Sequence, residues 1–450
     1  MKDRQKPIER EAEIRAKDFE EVSKGFDRER AMIEAQRCLN CKNAPCRNGC
    51  PVGVNIPAFI ERLKSDDADG ALKVINESNS LPSICGRVCP QETQCEKLCI
   101  RAIKGESVAI GLLERYAGAY GKNNDVKNKA KIGKRVAVVG SGPASLTCAA
   151  QLLKSGIDVT VYEAFHIAGG VLVYGIPEFR LPKEIVNKEI DEIKRNGAEF
   201  CYNTVVGKTI TVEQLQKEYD AVFLGTGAGL PMFMNIKGEG LNGVYSANEY
   251  LTRVNLMKAY DGQYDTPLLQ GKHIAVVGAG NVAMDAARTA VRLGATEVNL
   301  LYRRSRQEMP AREEEITHAQ QEGVKLNLLV NPIEFLGEIS VTGAKCIRME
   351  LGAPDASGRR RPIEIKGSEF VIPCDVVIIA LGTIPNPMIA KSDKELKVSE
   401  KGTIDTNDNL ETSLKMVYAG GDAVTGAATV IKAMGAGKKA AEEIIKKFLL

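Results

Sequence analysis

The stretch KRVAVVGSGPASLTCAAQLLKSGIDVTVYE, residues 134–163, predicts a β-branched strand, a glycine turn, an amphipathic helix and a second strand that ends in an acid. Such a βαβ unit is typical of dinucleotide binding. Gly140 would form the tight turn, Gly142 would admit a pyrophosphate at the helix N-terminus, and Glu163 would accept hydrogen bonds from ribose hydroxyls. An ordinary strand-to-helix turn is the alternative. Ser145 departs mildly from the pattern, because the third small position usually holds glycine or alanine.

A second unit of the same kind occupies residues 272–304, KHIAVVGAGNVAMDAARTAVRLGATEVNLLYRR, with Gly278 and Gly280 in the glycine positions. Arg303 and Arg304 stand where the first unit has its acid. Arginine at this place predicts a fork for a ribose 2′-phosphate, whereas an acid predicts a free ribose. We therefore expect FAD in the first unit and NADPH in the second. A solvated run of charges is the simpler explanation of the arginines.

Two strand ends suggest that one nucleotide domain is inserted in the other. FLGTGAGLP (223–231) and IIALGTIPNP (378–387) are each an apolar strand that breaks into Gly-Thr and then proline, as expected where a chain passes between domains. The segment VYAGGDAVTGAATVIKAMGAGKKAAEEII (417–445) then returns to the FAD domain. Its Asp422 and the N-terminus of a helix that begins near Thr429 would meet the flavin, unless Asp422 is only an N-cap.

The loop HIAGGVLVYGIPEFRLPKEIV (166–186) carries Gly169, Gly170, Gly175 and Pro177 among apolar residues. This composition fits a loop that closes over a flat ring, and a crossover loop that only packs is the alternative. Its position after the first βαβ unit associates it with the FAD domain.

Eight of the twelve cysteines form two close sets, CLNCKNAPCRNGCP (38–51) and CGRVCPQETQCEKLC (85–99). The first residues, MKDRQKPIEREAEIRAKDFEEV, contain no apolar signal core, so we expect a cytoplasmic protein in which disulfides do not persist. Crowded thiols next to Cys-Pro then favour two [4Fe-4S] clusters over structural zinc or inert thiols. A crossed arrangement is expected, with Cys50 serving the second cluster and Cys99 the first. The four isolated cysteines are expected to be small buried hydrophobic residues: Cys148, Cys201, Cys346 and Cys374.

The overall composition excludes other classes of function. The net charge of +3 gives no general attraction to nucleic acid or to an anionic membrane. No apolar run approaches the about 20 residues of a membrane span. Three histidines make a multi-histidine metal centre difficult to build. We therefore place the function in individual sites and expect any metal to be held by sulfur.

The predicted cofactors together indicate an electron relay. NADPH donates two electrons as hydride, a cluster carries one electron at a time, and flavin connects the two because its half-reduced form is accessible. We expect NADPH to deliver hydride to FAD N5 and the clusters to exchange single electrons with a partner. Such a protein positions cofactors and tunes their potentials, so no catalytic acid or base is assigned.

Motifs that carry a family resemblance are spread over the whole chain. They are CLNCKNAPCRNGCP, CGRVCPQ, VAIGLLERY, GSGPAS, GGVLVYGIPEFRLPK, YRRS, EMPAREEEI and GGDAVTGAATVIKAMGAGKKAA. Together they resemble the small subunit of NADPH-dependent glutamate synthase. The same module is similar to the N-terminal part of dihydropyrimidine dehydrogenase and to the large subunit of NADH-dependent ferredoxin:NADP oxidoreductase.

The resemblance implies an α/β fold, in which two nested Rossmann-like nucleotide-binding domains follow an α-helical domain that carries two [4Fe-4S] clusters. The expected segments are a helical double-cluster domain at 1–130, a first FAD-binding part at 131–235, an inserted NADPH-binding domain at 236–385 and a second FAD-binding part at 386–450. The resemblance covers essentially the whole chain.

The resemblance also implies the ligands. One cluster would be held by four cysteines, namely Cys38, Cys41, Cys46 and Cys99. The other would take three cysteines and an oxygen ligand from the following helix, namely Cys50, Cys89, Cys95 and Glu114. Cys85 would then be spare, although the residues alone favour it as a ligand. The expected nucleotide-binding residues are Gly140, Gly142, Pro143, Ala144, Glu163, Gly170, Leu172, Gly175, Arg180, Gly421, Asp422, Thr429 and Val430 for FAD, and Gly278, Gly280, Asn281, Val282, Arg303 and Arg304 for NADPH.

The leading hypothesis is an oxidoreductase subunit that exchanges electrons with a second redox subunit, either a glutamate synthase large chain or a flavoprotein, or with ferredoxin. No segment is left for a glutaminase or an FMN-bearing synthase domain, so we expect glutamate formation to need a large subunit. The alternative within the class is the large subunit of an electron-bifurcating NADH-dependent ferredoxin:NADP oxidoreductase. A zinc-bearing nucleic-acid binder would need a basic face, and a flavin disulfide reductase would need a CxxC pair in a nucleotide domain. The sequence provides neither feature.

Overall fold

The N-terminal part of the computed structural model is helical; the model describes residues 3–122, 129–355 and 358–449. Its elements are, in chain order, β1 (Ile8–Glu9), α1 (Ala12–Arg15), β2 (Ser23–Gly25), α2 (Arg28–Ala35), α3 (Pro45–Asn48), α4 (Ile56–Lys64), α5 (Ala68–Asn76), α6 (Pro82–Val88) and α7 (Ile110–Tyr120). Short 3-10 helices at Gln91–Thr93 and Ile100–Ile103 lie in the second cysteine set. Most of the clustered cysteines therefore stand on turns, where backbone and thiols can converge on one point.

A parallel sheet with helices between its strands follows. Its elements are β3 (Arg135–Val139), α8 (Pro143–Lys154), β4 (Asp158–Tyr162), α9 (Val171–Tyr174), α10 (Lys183–Arg195), β5 (Glu199–Cys201), α11 (Val212–Glu218) and β6 (Ala221–Leu224). Residues 136–139 of β3 are buried. This is why the strand is a continuous β-branched run, since helices cover both faces of a parallel sheet.

A second parallel sheet begins after a short linking strand. The elements are β7 (Leu230–Pro231), β8 (Val244–Ser246), α12 (Ala247–Asn255), β9 (His273–Val277), α13 (Asn281–Arg292), β10 (Glu297–Tyr302), α14 (Glu313–Gln321), β11 (Lys325–Leu328), β12 (Val330–Gly337), β13 (Val341–Pro354), β14 (Arg360–Glu364), β15 (Phe370–Pro373), β16 (Val376–Ile379) and β17 (Thr383–Ile384). The parallel strand order is β11-β10-β9-β16-β8. Strands β12 to β15 form a separate antiparallel sheet.

The chain then returns to the first sheet through α15 (Met388–Ser392), β18 (Val417–Ala419), α16 (Asp422–Thr425) and α17 (Val430–Leu449). Strand β18 pairs with β6, which completes the order β18-β6-β3-β4-β5. The linking strands β7 and β17 pair antiparallel, with Leu230 opposite Ile384. The predicted fold class, a nucleotide domain nested in another, is thus confirmed. The residue boundaries of the four segments stay a prediction.

Helices α8 and α17 pack unusually closely. A Cβ at Gly437 would lie 2.0 Å from the carbonyl oxygen of Ala144, and one at Gly421, just before α16, would lie 2.9 Å from the Ala144 Cβ. Ser145 is fully buried, and its hydroxyl lies 3.3 Å from the carbonyl oxygen of Val139. The serine at the third fingerprint position therefore bonds to the end of the strand and does not hold the helix away from it.

One apolar core is shared by the helical part and the first nucleotide domain. Ile84 of α6 and Met434 of α17 belong to the same buried cluster. Three of the four isolated cysteines are buried as expected, and Cys201 is half-buried. None of the helices in the described ranges combines the length and the apolar character that a bilayer span requires.

A buried ionic network joins three parts of the chain. Arg288 of α13 pairs with Glu322, just past α14, at 2.8 Å, and Arg15 of α1 reaches the same carboxylate at 3.0 Å. Arg180, in the loop between α9 and α10, pairs with Asp285 of α13 at 2.7 Å. The N-terminal segment, the FAD part and the NADPH part are therefore tied by charges with little exposure. The members of this interdomain ionic network are Arg15, Arg180, Asp285, Arg288, Arg292, Glu315 and Glu322.

Candidate electron-transfer sites

Four cysteine thiols, predicted as the ligands of one cluster, surround a small cavity of about 30 Å³: Cys38, Cys41, Cys46 and Cys99. Burial, together with the nearby Cys99 and Cys38, raises the pKa of Cys46 to about 11. Neutral thiols crowded in this way lose their protons when a metal binds, because thiolate is the ligating form. The set fits a four-thiolate iron–sulfur cluster.

The second set contains three thiols and a carboxyl group. Burial and the charge of Glu114 raise the pKa of Cys50, and burial raises that of Cys95 well above its usual range. Burial also raises the pKa of Glu114 to about 7, although Asn79 Nδ2 donates a hydrogen bond to its Oε1 at 2.8 Å. The hydrogen bond with Cys85 would lower the pKa of Cys89, but burial and the charge of Glu114 raise it. This set fits three thiolates and one oxygen ligand.

Cys85 lies beside this second set, where its thiol interacts with Cys89, and it also contacts a different helix. Its Sγ is 3.4 Å from Sδ of Met434 on α17 and 3.7 Å from Oδ1 of Asn79. The side chain is fully buried. The thiol thus has packing partners outside the proposed ligand set, and the choice between Cys85 and Glu114 as the fourth ligand stays a prediction.

The predicted acid, Glu163, lies close to the first glycine turn. Glu163 accepts hydrogen bonds from the Ser141 hydroxyl and, at 2.8 Å, from the backbone N–H of Phe165. Gly140 has a φ of +88°, and a Cβ there would lie 2.6 Å from a carbonyl oxygen just past β6. Among the described residues, no atom would lie within 4 Å of a Cβ at Gly142. The turn is therefore open on the side where a pyrophosphate is expected.

The glycine-rich loop closes over this turn. A Cβ at Gly170, whose φ is +54°, would lie 2.9 Å from the Cα of Gly142, and Leu172 is fully buried beneath the loop. Burial and then the charge of Asp422 raise the pKa of Tyr174 to about 12. Asp422, the first residue of α16, therefore lies near the loop that holds Gly170 and Gly175, and Thr429 and Val430 follow it where α17 begins.

Asp422 itself opens α16. Burial raises the pKa of its carboxyl group to about 6, and the backbone N–H of Ala428 donates to Oδ1 at 3.2 Å. The carboxyl group thus also caps the turn that leads into α17, which agrees in part with the simpler N-cap explanation. Pro143 and Ala144, at the start of α8, border the same space.

Arg180, which was predicted to contact the flavin, pairs with carboxylates of the NADPH domain. Its Nη1 donates to both oxygens of Asp285, at 2.8 and 2.7 Å, and its Nε lies 3.1 Å from Glu315. Burial would lower the pKa of Arg180, but the two carboxylates raise it above its ordinary value. The guanidinium therefore belongs to the interdomain ionic network, and a contact of Arg180 with the flavin stays a prediction.

The second glycine turn is covered by the motif EMPAREEEI. Gly278 has a φ of +129°, and the backbone N–H of Ala311 donates to the carbonyl oxygen of Ala279 at 3.2 Å. The backbone N–H of Arg312 donates to Oδ1 of Asn281 at 3.0 Å. Gly280 and the exposed Val282 line the turn beside this segment. The side-chain oxygen of Asn281 thus fixes a neighbouring segment.

The two arginines of the predicted phosphate fork, Arg303 and Arg304, differ in their exposure to solvent. Arg303 is exposed at the end of β10, whereas Arg304 is buried. Arg304 pairs with Asp355 at 2.8 Å and donates to the carbonyl oxygen of Arg360 at 2.8 Å. Arg304 thus already has partners within the protein, so Arg303 is the more accessible of the two side chains, and the phosphate fork stays a prediction.

We expect Arg303→Gln to weaken NADPH binding about 10- to 100-fold, because a charge-assisted hydrogen bond contributes about 1.5–3 kcal/mol. NADH lacks the 2′-phosphate, so its affinity should change less than about twofold. Titration calorimetry with both coenzymes measures the two constants. An equal loss for the two coenzymes would contradict the assignment. Arg304→Gln should instead lower stability, since Asp355 would lose this ion pair.

Sequence reasoning missed two residues that connect these sites, Arg312 and Gln91. Nη2 of Arg312 donates to Oε1 of Gln91 at 3.1 Å across 221 positions of sequence. Both stand inside quoted motifs, EMPAREEEI and CGRVCPQ. No local pattern relates one motif to the other, because only the packing of the domains brings them together.

The fold and the sites define an FAD- and NADPH-binding oxidoreductase with an N-terminal iron–sulfur domain. Residues 15–126 match the family model for dihydropyrimidine dehydrogenase domain II, 4Fe-4S cluster. Residues 134–437 match the model for pyridine nucleotide-disulphide oxidoreductase.

Known relatives give the family. The glutamate synthase [NADPH] small chain of Halomonas elongata is 37% identical over 452 residues, which cover 98% of this chain and 96% of the relative. The chain therefore belongs to the glutamate synthase (NADPH) small-chain family. The NADP(+)-dependent formate dehydrogenase subunit beta of Moorella thermoacetica is 40% identical over 430 residues, or 89% of this chain, but the chain spans only 59% of that relative's length.

A solved structure, Mycobacterium tuberculosis FprA in complex with NADPH, shares the fold alone, with a TM-score of 0.58 and 22% identity over 70% of this chain and 84% of FprA. The family confirms the predicted activity: the chain is an iron–sulfur flavoprotein subunit of an NADPH-dependent oxidoreductase. It also confirms the predicted cofactors, namely FAD, NADPH and [4Fe-4S] clusters.

Proposed function

We propose that this chain moves electrons between NADPH and a partner redox subunit through its outer cysteine set, Cys38, Cys41, Cys46 and Cys99, as the small chain of a glutamate synthase would with its large chain. When bound, FAD exchanges hydride with NADPH and single electrons with the clusters. The observation that carries the proposal is the different placement of the two cysteine sets. In the inner set Cys89 and Cys95 are buried and the segment after Cys50 contacts the FAD domain, whereas all four thiols of the outer set are half-buried beside exposed apolar side chains. The fold would then fix the order of the two clusters, with the inner one next to the flavin and the outer one next to the partner.

The segment that follows Cys50 of the inner set packs against α17 and is hydrogen-bonded to it. A Cβ at Gly435 would lie 2.9 Å from the carbonyl oxygen of Pro51, the residue after Cys50. Nζ of Lys438 donates to the carbonyl oxygen of Val52 at 2.7 Å. The start of α17 borders the flavin site, so these contacts support an inner cluster next to the flavin.

The outer set has an exposed apolar rim. Leu39 is 56% exposed, Leu98 43%, Ile100 39% and Ile103 78%. Each stands in the sequence beside Cys38 or within four residues of Cys99. Exposed apolar groups gathered at one place mark an interaction surface more often than chance. We call Leu39, Leu98, Ile100 and Ile103 the outer patch.

The surroundings of the outer patch are basic. Lys42, Arg47, Lys97 and Lys104 are exposed near its cysteines. No aspartate or glutamate stands between residues 34 and 61. A cationic rim attracts an acidic surface and accelerates its encounter. The proposed partner is therefore a redox protein with acidic residues around its own electron carrier.

We also propose the ligands and boundaries that this arrangement supports. Cys38, Cys41, Cys46 and Cys99 would hold the outer cluster, and Cys50, Cys89, Cys95 and Glu114 the inner one. The double-cluster domain would span 1–130 and the inserted NADPH domain 236–385, with 131–235 and 386–450 forming the FAD domain. The antiparallel pair β7–β17 supports the two inner boundaries.

The experiment is charge reversal on the rim. In complex with the redox subunit that copurifies from native cells, Lys97→Glu/Lys104→Glu should slow electron transfer about tenfold at low salt, with a smaller effect at high salt. NADPH-driven reduction of ferricyanide should stay unchanged. Lys394→Glu/Lys401→Glu, two exposed lysines on the FAD domain, provides the matched control with the same change of charge. Equal rates for both double variants would reject the outer patch as the docking surface.

A further inference from the structure

A single arginine of the NADPH domain contacts the cysteine loop of the inner set. Nε of Arg312 donates to Oε1 of Glu92 at 3.1 Å, and Nη1 donates to the carbonyl oxygen of Arg87 at 3.3 Å. With the bond from Nη2 to Gln91, the guanidinium has three partners in the helical domain. Its side chain is only 11% exposed. These contacts are directional, since a guanidinium is a rigid planar fork.

The backbone of the same residue is fixed to the second glycine turn. Its N–H donates to Oδ1 of Asn281, the first residue of α13, at 3.0 Å. The preceding residue, Ala311, is bonded to Ala279 inside the turn at 3.2 Å. A shift of the turn when a coenzyme binds is therefore passed to the Arg312 backbone without a flexible link.

In the helical domain, Gln91 contacts both the second cysteine set and α7. It stands between Cys89 and Cys95, and its Nε2 donates to the carbonyl oxygen of Cys85 at 3.3 Å. A Cβ at Gly111 would lie 2.2 Å from this Nε2, so the amide is wedged against α7, the helix that carries Glu114. The backbone N–H of Gln91 also donates to the carbonyl oxygen of Cys89 at 2.9 Å, so a displacement of Gln91 would act on a ligand of the inner set or press on α7.

We propose that Arg312 is a positioning residue that couples coenzyme occupancy of the second glycine turn to reduction of the inner cluster, acting through Gln91. The inference rests on the proposed function, because it assumes that the inner set holds a cluster. Two properties of the side chain contribute separately. Its charge stabilises the more negative, reduced state of the cluster, and its fork transmits the position of the turn. Coupling is reciprocal, so a coenzyme that shifts the potential must also bind oxidised and reduced protein with different affinities.

Other charged groups near Arg312 do not replace it in this role. Glu314 pairs with Nη2 of Arg312 at 3.0 Å and lies on the same helix, so it moves with the arginine. The side chain of Arg87 pairs with Glu21 at 2.7 Å within the N-terminal part, and Arg87 meets Arg312 through its carbonyl oxygen. Arg312 is thus the side chain that spans the two domains at this place.

The test uses the anaerobically purified, cluster-loaded full chain, titrated with dithionite and followed by electron paramagnetic resonance. The probe is 2′-phospho-adenosine diphosphoribose, which has the phosphates of the coenzyme but no nicotinamide and so cannot transfer hydride. In the unmodified protein, the probe's affinity should differ at least about fivefold between the oxidised and reduced inner cluster. In Arg312→Lys, which keeps the charge but not the fork, that ratio should fall below about twofold.

Arg312→Gln should lower the inner cluster's potential as well. The expected change is about tenfold in the ratio of reduced to oxidised cluster at a fixed potential, which equals 59 mV for one electron. The outer cluster should not shift. Gln91→Met breaks the same connection from the helical domain and should abolish the coupling without altering the NADPH domain. Lys325→Gln, which removes an exposed cation of the NADPH domain, is the control and should behave as the unmodified protein.

The outcomes separate this inference from the proposed function. If Arg312→Lys and Gln91→Met keep the full fivefold ratio while electrons still reach the partner, the coupling through Arg312 is rejected and the function stands. If the inner set holds no cluster at all, the proposed function fails first. If either variant were too unstable to purify, the other measures the same ratio and decides the question.

Discussion

Replacing Glu114 with alanine should leave the anaerobically purified protein with one [4Fe-4S] cluster instead of two. Three thiolates would remain in the inner set, and the fourth iron would lose its oxygen ligand. Iron and acid-labile sulfide should fall to about half, and one of the two paramagnetic signals should be lost or altered. The outer set shares no ligand with this one and should keep its signal.

Two companion variants make this result specific. Cys85→Ala should keep both clusters, because Sγ of Cys85 packs against Met434 and the thiol is not in the proposed ligand set. Glu114→Asp shortens the side chain but keeps the carboxylate, so it should retain more of the cluster than alanine does. If Glu114→Ala left both signals unchanged and Cys85→Ala removed one, Cys85 would be the fourth ligand.

Replacing Arg288 with methionine should lower the free energy of unfolding by about 3–5 kcal/mol, the cost of leaving buried charges without their partner. Arg288 is fully buried and pairs with Glu322 at 2.8 Å, as well as with Glu315. Urea unfolding, followed by circular dichroism, measures the change. Lys217→Met, at an exposed pair on α11, should change stability by less than about 0.5 kcal/mol.

The same network predicts the pH dependence of that difference. Burial would raise the pKa of Glu322, but its hydrogen bonds to Arg288 and Arg292 lower it to about 2. A carboxyl group with a lowered native pKa contributes stability that is fully present above its unfolded pKa of about 4.3 and disappears as the pH falls through the native value. The stability gap between the unmodified protein and Arg288→Met should therefore narrow from pH 5 towards pH 2. A gap that stayed constant over this range would contradict the role of the Glu322 charge.

Much of the fold was accessible from the sequence, because its signals are local. Gly140, Gly142 and Glu163 follow one another at the spacing that a βαβ unit requires, and the structure has a strand, a turn, a helix and a strand there. The linking strands were recognisable from their Gly-Thr and proline residues. The two cysteine sets were recognisable for the same reason, since ligands of one cluster can be close in sequence.

The unforeseen contacts are those between residues far apart in the chain. Arg304 has the expected position after β10, but Asp355, 51 residues later, binds its guanidinium. Arg180 sits in a motif that resembles a flavin loop, yet its partner Asp285 lies 105 residues away on another domain. Long charged side chains can turn to either neighbour. Their role is therefore decided by how the domains pack, which local spacing does not encode.

Helix α17 has a consequence for the timing of the reaction. Within three residues, Gly435 and Gly437 bring the helix against the segment after Cys50 and against the start of α8. Helix α17 thus fixes the distance between the flavin pocket and the inner cysteine set. The rate of electron tunnelling depends steeply on this distance. Coenzyme binding would then reach the inner set by a different route, through Arg312 and Gln91, and would act on the potential of the cluster and not on its distance from the flavin.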